Sequence, residues 1–156
     1  MDRFTISLDE ELATEFDRFI SLRGYVNRSE AVRDMIRERL GSALLDAKQA
    51  KFCVATVTFV YDHREHAVTA RLMDLQHEHH DMVVSSLHTH LDHENCLETV
   101  ILRGQTASVQ DCASELIALR GVRHGQVHLL ALAREGRPRR HGQAGPHVHS
   151  HLKPLN

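Results

Sequence analysis

The sequence predicts an α+β chain, with a strand–helix–helix unit leading into a βαββαβ domain of split, ferredoxin-like pattern. Three observations predict it. Residues 3–8 alternate polar and apolar, and two helical apolar stripes follow before residue 45. From Phe52 onward, β-branched runs and helical stripes succeed one another as strand, helix, strand, strand, helix, strand.

Each element has a local reason. Arg3, Thr5 and Ser7 alternate with Phe4, Ile6 and Leu8, the period of two that gives a strand one polar and one apolar face. Asp9 suits a helix N-cap, and Glu10 and Glu11 suit the positive end of the helix dipole. Leu12, Phe16, Phe19 and Ile20 form one helical stripe, which Gly24 closes. Asn27 with Glu30 resembles a capping box that opens a second helix. Its stripe is Val32, Met35, Ile36 and Leu40, with Leu44 in step beyond. One strand and two short helices cannot close a core alone, so residues 1–45 are expected to intertwine with a second copy through the strand.

Residues 46–51 read as a polar linker. Phe52–Tyr61 is β-branched and aromatic enough for a buried strand. His66–Met82 is helical by propensity, with Val68, Leu72 and Leu75 on a stripe. Val83–Leu91 predicts a strand, Asp92–Asn95 a turn, and Cys96–Leu102 the returning strand, which Gly104 breaks. Val109, Cys112, Ala113, Leu116 and Ile117 mark a last helix, and Val127–Ala133 the last strand after a turn over Arg120–Gly125. Residues 52–133 therefore form the second domain. Residues 134–156, rich in Gly, Pro, His and Arg without periodicity, are expected to be a disordered tail.

Composition narrows the function. The chain has 156 residues, room for one ordinary domain or two small ones, and its 42% hydrophobic content argues against wholesale disorder. Nineteen Lys and Arg against 21 Asp and Glu exclude nucleic-acid binding by bulk positive charge, though not a local reader. No apolar run approaches the roughly 18 residues of a membrane span. The early acidic residues do not suit a secretory signal. Three cysteines make no disulfide framework, which favours a reducing, cytoplasmic setting. The anomaly is 14 histidines, clustered rather than scattered, a composition that asks for a metal.

The sharpest cluster is LHTHLDHENC, Leu87 to Cys96. His88 and His90 stand two apart on a predicted strand, so both leave one face, and Cys96 opens the neighbouring strand where it comes level with them. His77, His79 and His80 of QHEHHD end the preceding helix and offer a fourth ligand, from the same chain or another. Such a donor set suits zinc in a tetrahedral site and nickel(II) or copper(II) in a tetragonal one, and ligand identity does not choose. The plainer alternative is two polar histidines on an exposed sheet face. Arg3, Thr5 and Ser7 likewise have two readings: the solvent face of a short strand, or the base-reading face of a two-stranded ribbon in the DNA major groove. The start of the second helix, with Arg28 and Ser29, offers free N–H groups to phosphate. Cys53 and Cys112 fall in apolar stripes and read as core. His124 and His128 read as surface or structural, and the tail's His141, His147, His149 and His151 offer only loose metal binding.

With these motifs in place, residues from about Arg3 to about Leu132 resemble the nickel-responsive transcriptional regulators of the NikR family. The resemblance rests on RFTISLDEEL, RGYVNRSEAVRD, QHEHHD, LHTHLDHENCLE and RGVRHG, in that order. It implies an N-terminal ribbon-helix-helix DNA-binding domain and a C-terminal ACT-like regulatory domain, assembled as a homotetramer that is a dimer of dimers. It implies one square-planar Ni(II) per subunit, held by His88, His90 and Cys96 of one subunit and His77 of a neighbour. It places base reading on Arg3, Thr5 and Ser7, with a palindromic operator in double-stranded DNA as the partner, and a potassium ion near Glu30 and Asp34. In the family the loop corresponding to Asp62–His66 also touches the DNA backbone. QHEHHD departs from the best-known member at Glu78, where that member has another histidine.

The function expected is a nickel-responsive repressor of nickel uptake. Its rival is a nickel storage or delivery protein that uses the His-rich tail. A metal enzyme is disfavoured, because four protein ligands leave no open coordination position for a substrate.

Overall fold

The computed structural model describes residues 5–46, 49–134 and 152–154. The chain divides into two compact units, residues 1–40 and 41–156. No helix among the described residues is long and apolar enough to cross a membrane.

The first unit contains α1 (Glu10–Leu22) and most of α2 (Arg28–Asp46). Asp9 is extended, and its carboxylate accepts the Leu12 N–H at 2.8 Å, satisfying one of the free donors that every helix start leaves. Gly24 takes a φ of +77° just past α1, the left-handed turn that a side chain would resist. Asn27 Oδ1 then accepts the Glu30 N–H at 2.9 Å and opens α2. Within residues 5–40 only Ile20 and Ala31 are buried, while Ile6, Leu8, Leu12, Phe19, Ile36 and Leu40 are exposed. The helix stripes thus find no core in their own unit.

The alternation over Arg3–Leu8 predicts a strand, yet residues 5–9 carry none. A strand exists by its ladder of hydrogen bonds, and every described strand pairing lies in the second unit. Arg3 and Phe4 lie outside the described residues.

The second unit is a two-layer sandwich. Strands β1 (Phe52–Asp62), β2 (Val83–His90), β3 (Asn95–Gln105), β4 (Arg123–Arg134) and β5 (Leu152–Pro154) form an antiparallel sheet in the order β2-β3-β1-β4-β5. Helices α3 (His66–Glu78) and α4 (Thr106–Ala118) complete it. Alternate residues of β1, from Cys53 to Tyr61, are buried, as are Cys96, Glu98, Val100 and Leu102 of β3. They share a core with Val68, Leu72 and Leu75 of α3 and with Val109, Cys112, Ala113 and Leu116 of α4.

Several boundaries differ from the sequence expectation. The third helix ends at Glu78 instead of Met82, because the run His79–Asp81 is poor in helix formers and turns back, with the Met82 N–H donating to His79 O at 2.9 Å. β3 runs through Gly104 to Gln105, held by pairing with β1. β4 begins at Arg123, four residues earlier than the apolar run suggests. The end of the predicted linker is part of the fold: Ala50 is buried, and its carbonyl accepts the Thr106 hydroxyl at 2.6 Å. Within the predicted tail, residues 152–154 pair with the end of β4. The rest of that tail, 135–151 and 155–156, lies outside the described residues.

Candidate metal centre

Strand register builds the site. Tyr61 of β1, Cys96 of β3 and His90 of β2 are direct cross-strand partners in one row, and Phe59, Glu98 and His88 form the next. Directly opposed residues share a face, so His88, His90, Cys96 and Glu98 all lie on the side that carries Tyr61. Cys96 is fully buried, with its Sγ 3.2 Å from His90 Nδ1.

A second imidazole meets the same sulfur. His63, just past β1, puts its Nδ1 3.4 Å from Cys96 Sγ. Among the described residues, His63, His90 and Cys96 are the group of three donors whose ligand atoms lie within 4.8 Å of one another. The His63 segment is tied to the β2–β3 hairpin. Its backbone N–H donates to Glu94 O at 3.0 Å, and the Arg64 guanidinium bridges Asp62 at 2.8 Å and Glu94 at 2.7 Å. On the hairpin side, Asp92 Oδ1 accepts the N–H groups of Glu94 and Asn95 at 2.8 and 2.7 Å. Both arms of the site are therefore fixed in advance.

His88 stands beside this trio. Its ring is 4.9 Å from that of His90, and its Nδ1 is 3.2 Å from the Tyr61 hydroxyl. That contact leaves Nε2 as the nitrogen free to ligate, the arrangement by which outer partners orient metal-binding histidines. Behind it, the buried Glu98 carboxylate accepts from Gln76 Nε2 at 2.6 Å and Ser86 Oγ at 2.8 Å. Gln76 thereby links the last turn of α3 to the sheet. His77, the next residue, is exposed and lines a recess of about 770 Å³ together with Tyr61, Met73, His88 and Glu98.

Burial raises the Cys96 thiol above its ordinary value, and the carboxylates of Asp62, Asp92 and Glu98 push the same way. Both effects favour the protonated thiol. Tyr61 is pushed well up by burial and then by Glu98, so its hydroxyl stays protonated. Asp62 is held down at about 2 by Arg64, and Asp92 at about 2 by Asn95 and the adjoining N–H groups. Two or three imidazoles, one thiol and nearby carboxylates fit a borderline-soft divalent cation.

Of the four ligands expected from sequence, His90 and Cys96 meet directly, His88 is adjacent, and His77 stands apart from the donor cluster of its own chain. Sequence reasoning passed over His63. The pairing of Tyr61 with Cys96 and Asp62 with Asn95 brings it in, and no local spacing encodes that. Among residues expected to touch DNA, Thr5, Ser7 and Ser29 are exposed, while Arg3 lies outside the described residues. The Arg28 guanidinium is engaged by Asp17, with Nε–Oδ1 at 2.6 Å. Glu30 is exposed at the start of α2, and Asp34 accepts from Arg37 at 3.0 Å. Arg64, in the loop the resemblance brings to the DNA backbone, is bound to Asp62 and Glu94.

Known proteins share both units. Residues 54–130 match the family described as the NikR C-terminal nickel binding domain, and residues 2–42 match the ribbon-helix-helix proteins of the copG family. A nickel-responsive regulator of Edwardsiella ictaluri is 42% identical over 151 residues, 97% of this chain and 99% of its own. That match necessarily reaches into the segment after Arg134. A relative from Trichlorobacter lovleyi, provisionally named a nickel-responsive regulator, is 44% identical over 85% of this chain and 95% of its own. A Brucella ovis relative with the same provisional name is 42% identical over 85% of this chain and 100% of its own.

Proposed function

The chain belongs to the NikR family of nickel-responsive transcriptional regulators, and from that premise we propose that its nickel-loaded form represses nickel uptake. The observation that carries the reading is the buried Cys96 thiol with imidazoles at its sulfur, in a chain that also carries a ribbon-helix-helix unit. Two imidazole nitrogens beside one sulfur are a donor set for a borderline-soft divalent cation, which would bind the sulfur as thiolate and release its proton.

In this reading His88, His90 and Cys96 of one subunit and His77 of the partner subunit hold one nickel(II) per subunit. The exposure of His77 and its separation from the donor cluster of its own chain support a role across subunits. The ion supplies a bond between subunits that neither chain has alone. The assembly is a homotetramer, a dimer of ribbon-helix-helix dimers, which would cover the exposed apolar stripes of α1 and α2. Residues 3–8 of two chains pair into a ribbon, and Arg3, Thr5 and Ser7 read base edges in a palindromic operator. Residues 1–45 hold seven arginines against nine acidic residues, so contact depends on where these few groups stand. Ser29 and the opening N–H groups of α2 hold phosphate, and Arg28 joins them by exchanging Asp17 for the DNA. Glu30 and Asp34 hold potassium. Linkage makes the coupling reciprocal, with about 1–3 kcal/mol typical: whatever nickel adds to DNA affinity, DNA adds to nickel affinity.

The test is capture of genomic fragments by purified protein, metal-free or given about one nickel per chain. Recovery of one or a few sites with two spaced half-sites, only with nickel, is expected. The variant Cys96→Ala should keep its fold and lose that response. Capture independent of nickel, or a nickel response surviving in Cys96→Ala, would overturn the switch. Nickel binding without specific DNA capture would favour storage by the His-rich tail.

A further inference from the structure

We propose that Met73, His77 and His80 form a copper(I) site on the α3 side of the recess, held within one subunit and apart from the Cys96 sulfur. Residues 73, 77 and 80 stand at i, i+4 and i+7, so α3 and the turn after it bring one thioether and two imidazoles to one face. All three line the recess of about 770 Å³. Met73 is 66% exposed, so its long, flexible side chain is committed to no core of its own chain and its sulfur stays accessible.

The histidine pair sets the geometry. His80 Nδ1 lies 3.1 Å from His77 O, and a carbonyl only accepts, so the ring proton of His80 sits on Nδ1 and Nε2 keeps the lone pair that can bind a metal. The two ring centroids are 6.1 Å apart. A metal–nitrogen bond of about 2.0 Å puts a ring centroid about 3.1 Å from its ion, so two rings on one ion stand at most about 6.2 Å apart. For the same bonds, tetrahedral angles bring the centroids to about 5.1 Å, and neighbouring corners of a square plane to about 4.4 Å. The observed spacing suits a wide, nearly linear nitrogen–metal–nitrogen angle. Copper(I) accepts that angle: its closed d shell imposes no square plane, two or three ligands satisfy it, and thioether sulfur selects it. Met73, one helical turn before His77, supplies the third donor.

The consequence is regulatory, and it alone rests on the nickel reading. In that reading His77 crosses to complete the nickel site of a neighbouring subunit. Copper(I) held by Met73 and His80 keeps His77 on its own chain and withdraws the ligand through which nickel links subunits. It therefore opposes the nickel response without occupying the position of the nickel ion.

The experiment titrates the full chain, with isotope-labelled methionine methyl groups, with copper(I) buffered by bicinchoninate in the absence of oxygen. Cys96→Ala supplies the background, because the thiol would compete for the same soft ion. The Met73 methyl resonance, assigned by its loss in Met73→Leu, should shift as copper(I) is added. That signal also separates the site from the histidines of the tail, which offer no sulfur. Loss of one ligand should weaken copper(I) binding by about tenfold or more, so Met73→Leu and His80→Ala, both at exposed positions, should each do so. A Met73 methyl that ignores copper(I), or a copper(I) affinity unchanged in either variant, would overturn the proposal. His77→Ala should weaken copper(I) and nickel alike. A loss for copper(I) with nickel affinity unchanged would sink the nickel reading and leave the copper(I) site standing.

Discussion

Removing one oxygen from Tyr61 tests the proposed role of His88 as a metal ligand. Tyr61 is 3% exposed, and its hydroxyl lies 3.2 Å from His88 Nδ1. For Nε2 to bind a cation, the ring proton must sit on Nδ1 and be donated to the tyrosine oxygen. A bound cation makes that N–H a stronger donor, so the bond tightens on loading and favours the loaded state. Tyr61→Phe keeps the ring, its packing beside Phe59 and the strand pairing with Cys96. It removes one neutral hydrogen bond, worth about 0.5–1.5 kcal/mol, which corresponds to roughly 2- to 13-fold in nickel affinity. Outer partners of ligating histidines typically give 10–100-fold, so about tenfold is expected where the two ranges meet. Chelator competition at fixed pH measures it, with urea unfolding as a control for stability. Nickel affinity within about twofold of the unmodified protein would refute the reasoning, because His88 would then need no orienting partner or would not ligate through Nε2.

Three further outcomes follow from the contacts. Gln76→Leu takes from the buried Glu98 carboxylate the donor that reaches it at 2.6 Å, and should cost about 1.5–3 kcal/mol in urea unfolding while speeding amide exchange in the last turn of α3. Gly125→Ala would place its Cβ 2.6 Å from Ile117 Cβ and 2.8 Å from Cγ2. An overpacking cost of about 1–3 kcal/mol is expected, and it should shrink when Ile117→Gly, which removes both contacting atoms, is added; equal costs in both backgrounds would exclude the clash as its cause. The Arg28 guanidinium holds the Asp17 carboxyl below its ordinary 3.8, so its contribution to stability is present above that pH and is lost as pH falls through the folded value. Asp17→Asn should therefore lower helix stability at neutral pH and match the unmodified protein in strong acid, read by circular dichroism; a difference that persists in strong acid would exclude the ion pair as its origin.

Whatever depends on near neighbours was legible in the chain. Asp9 and Asn27 cap their helices because a short oxygen-bearing side chain reaches an N–H three residues on, and the two residues are adjacent to the stripes they serve. His88 and His90 share a face because a strand repeats every second residue, and the βαββαβ order follows from apolar periods alone. What the fold added depends on residues far apart in sequence. Antiparallel register brought Tyr61, Cys96 and His90 into one row, and with them His63, 33 positions from the sulfur it touches. It carried β3 through Gly104, drew residues 152–154 into the sheet, and gave Arg28 to Asp17 from the neighbouring helix. Each is a pairing between distant segments, selected by the energy of the whole packed sheet or helix pair, so no window of the sequence contains it.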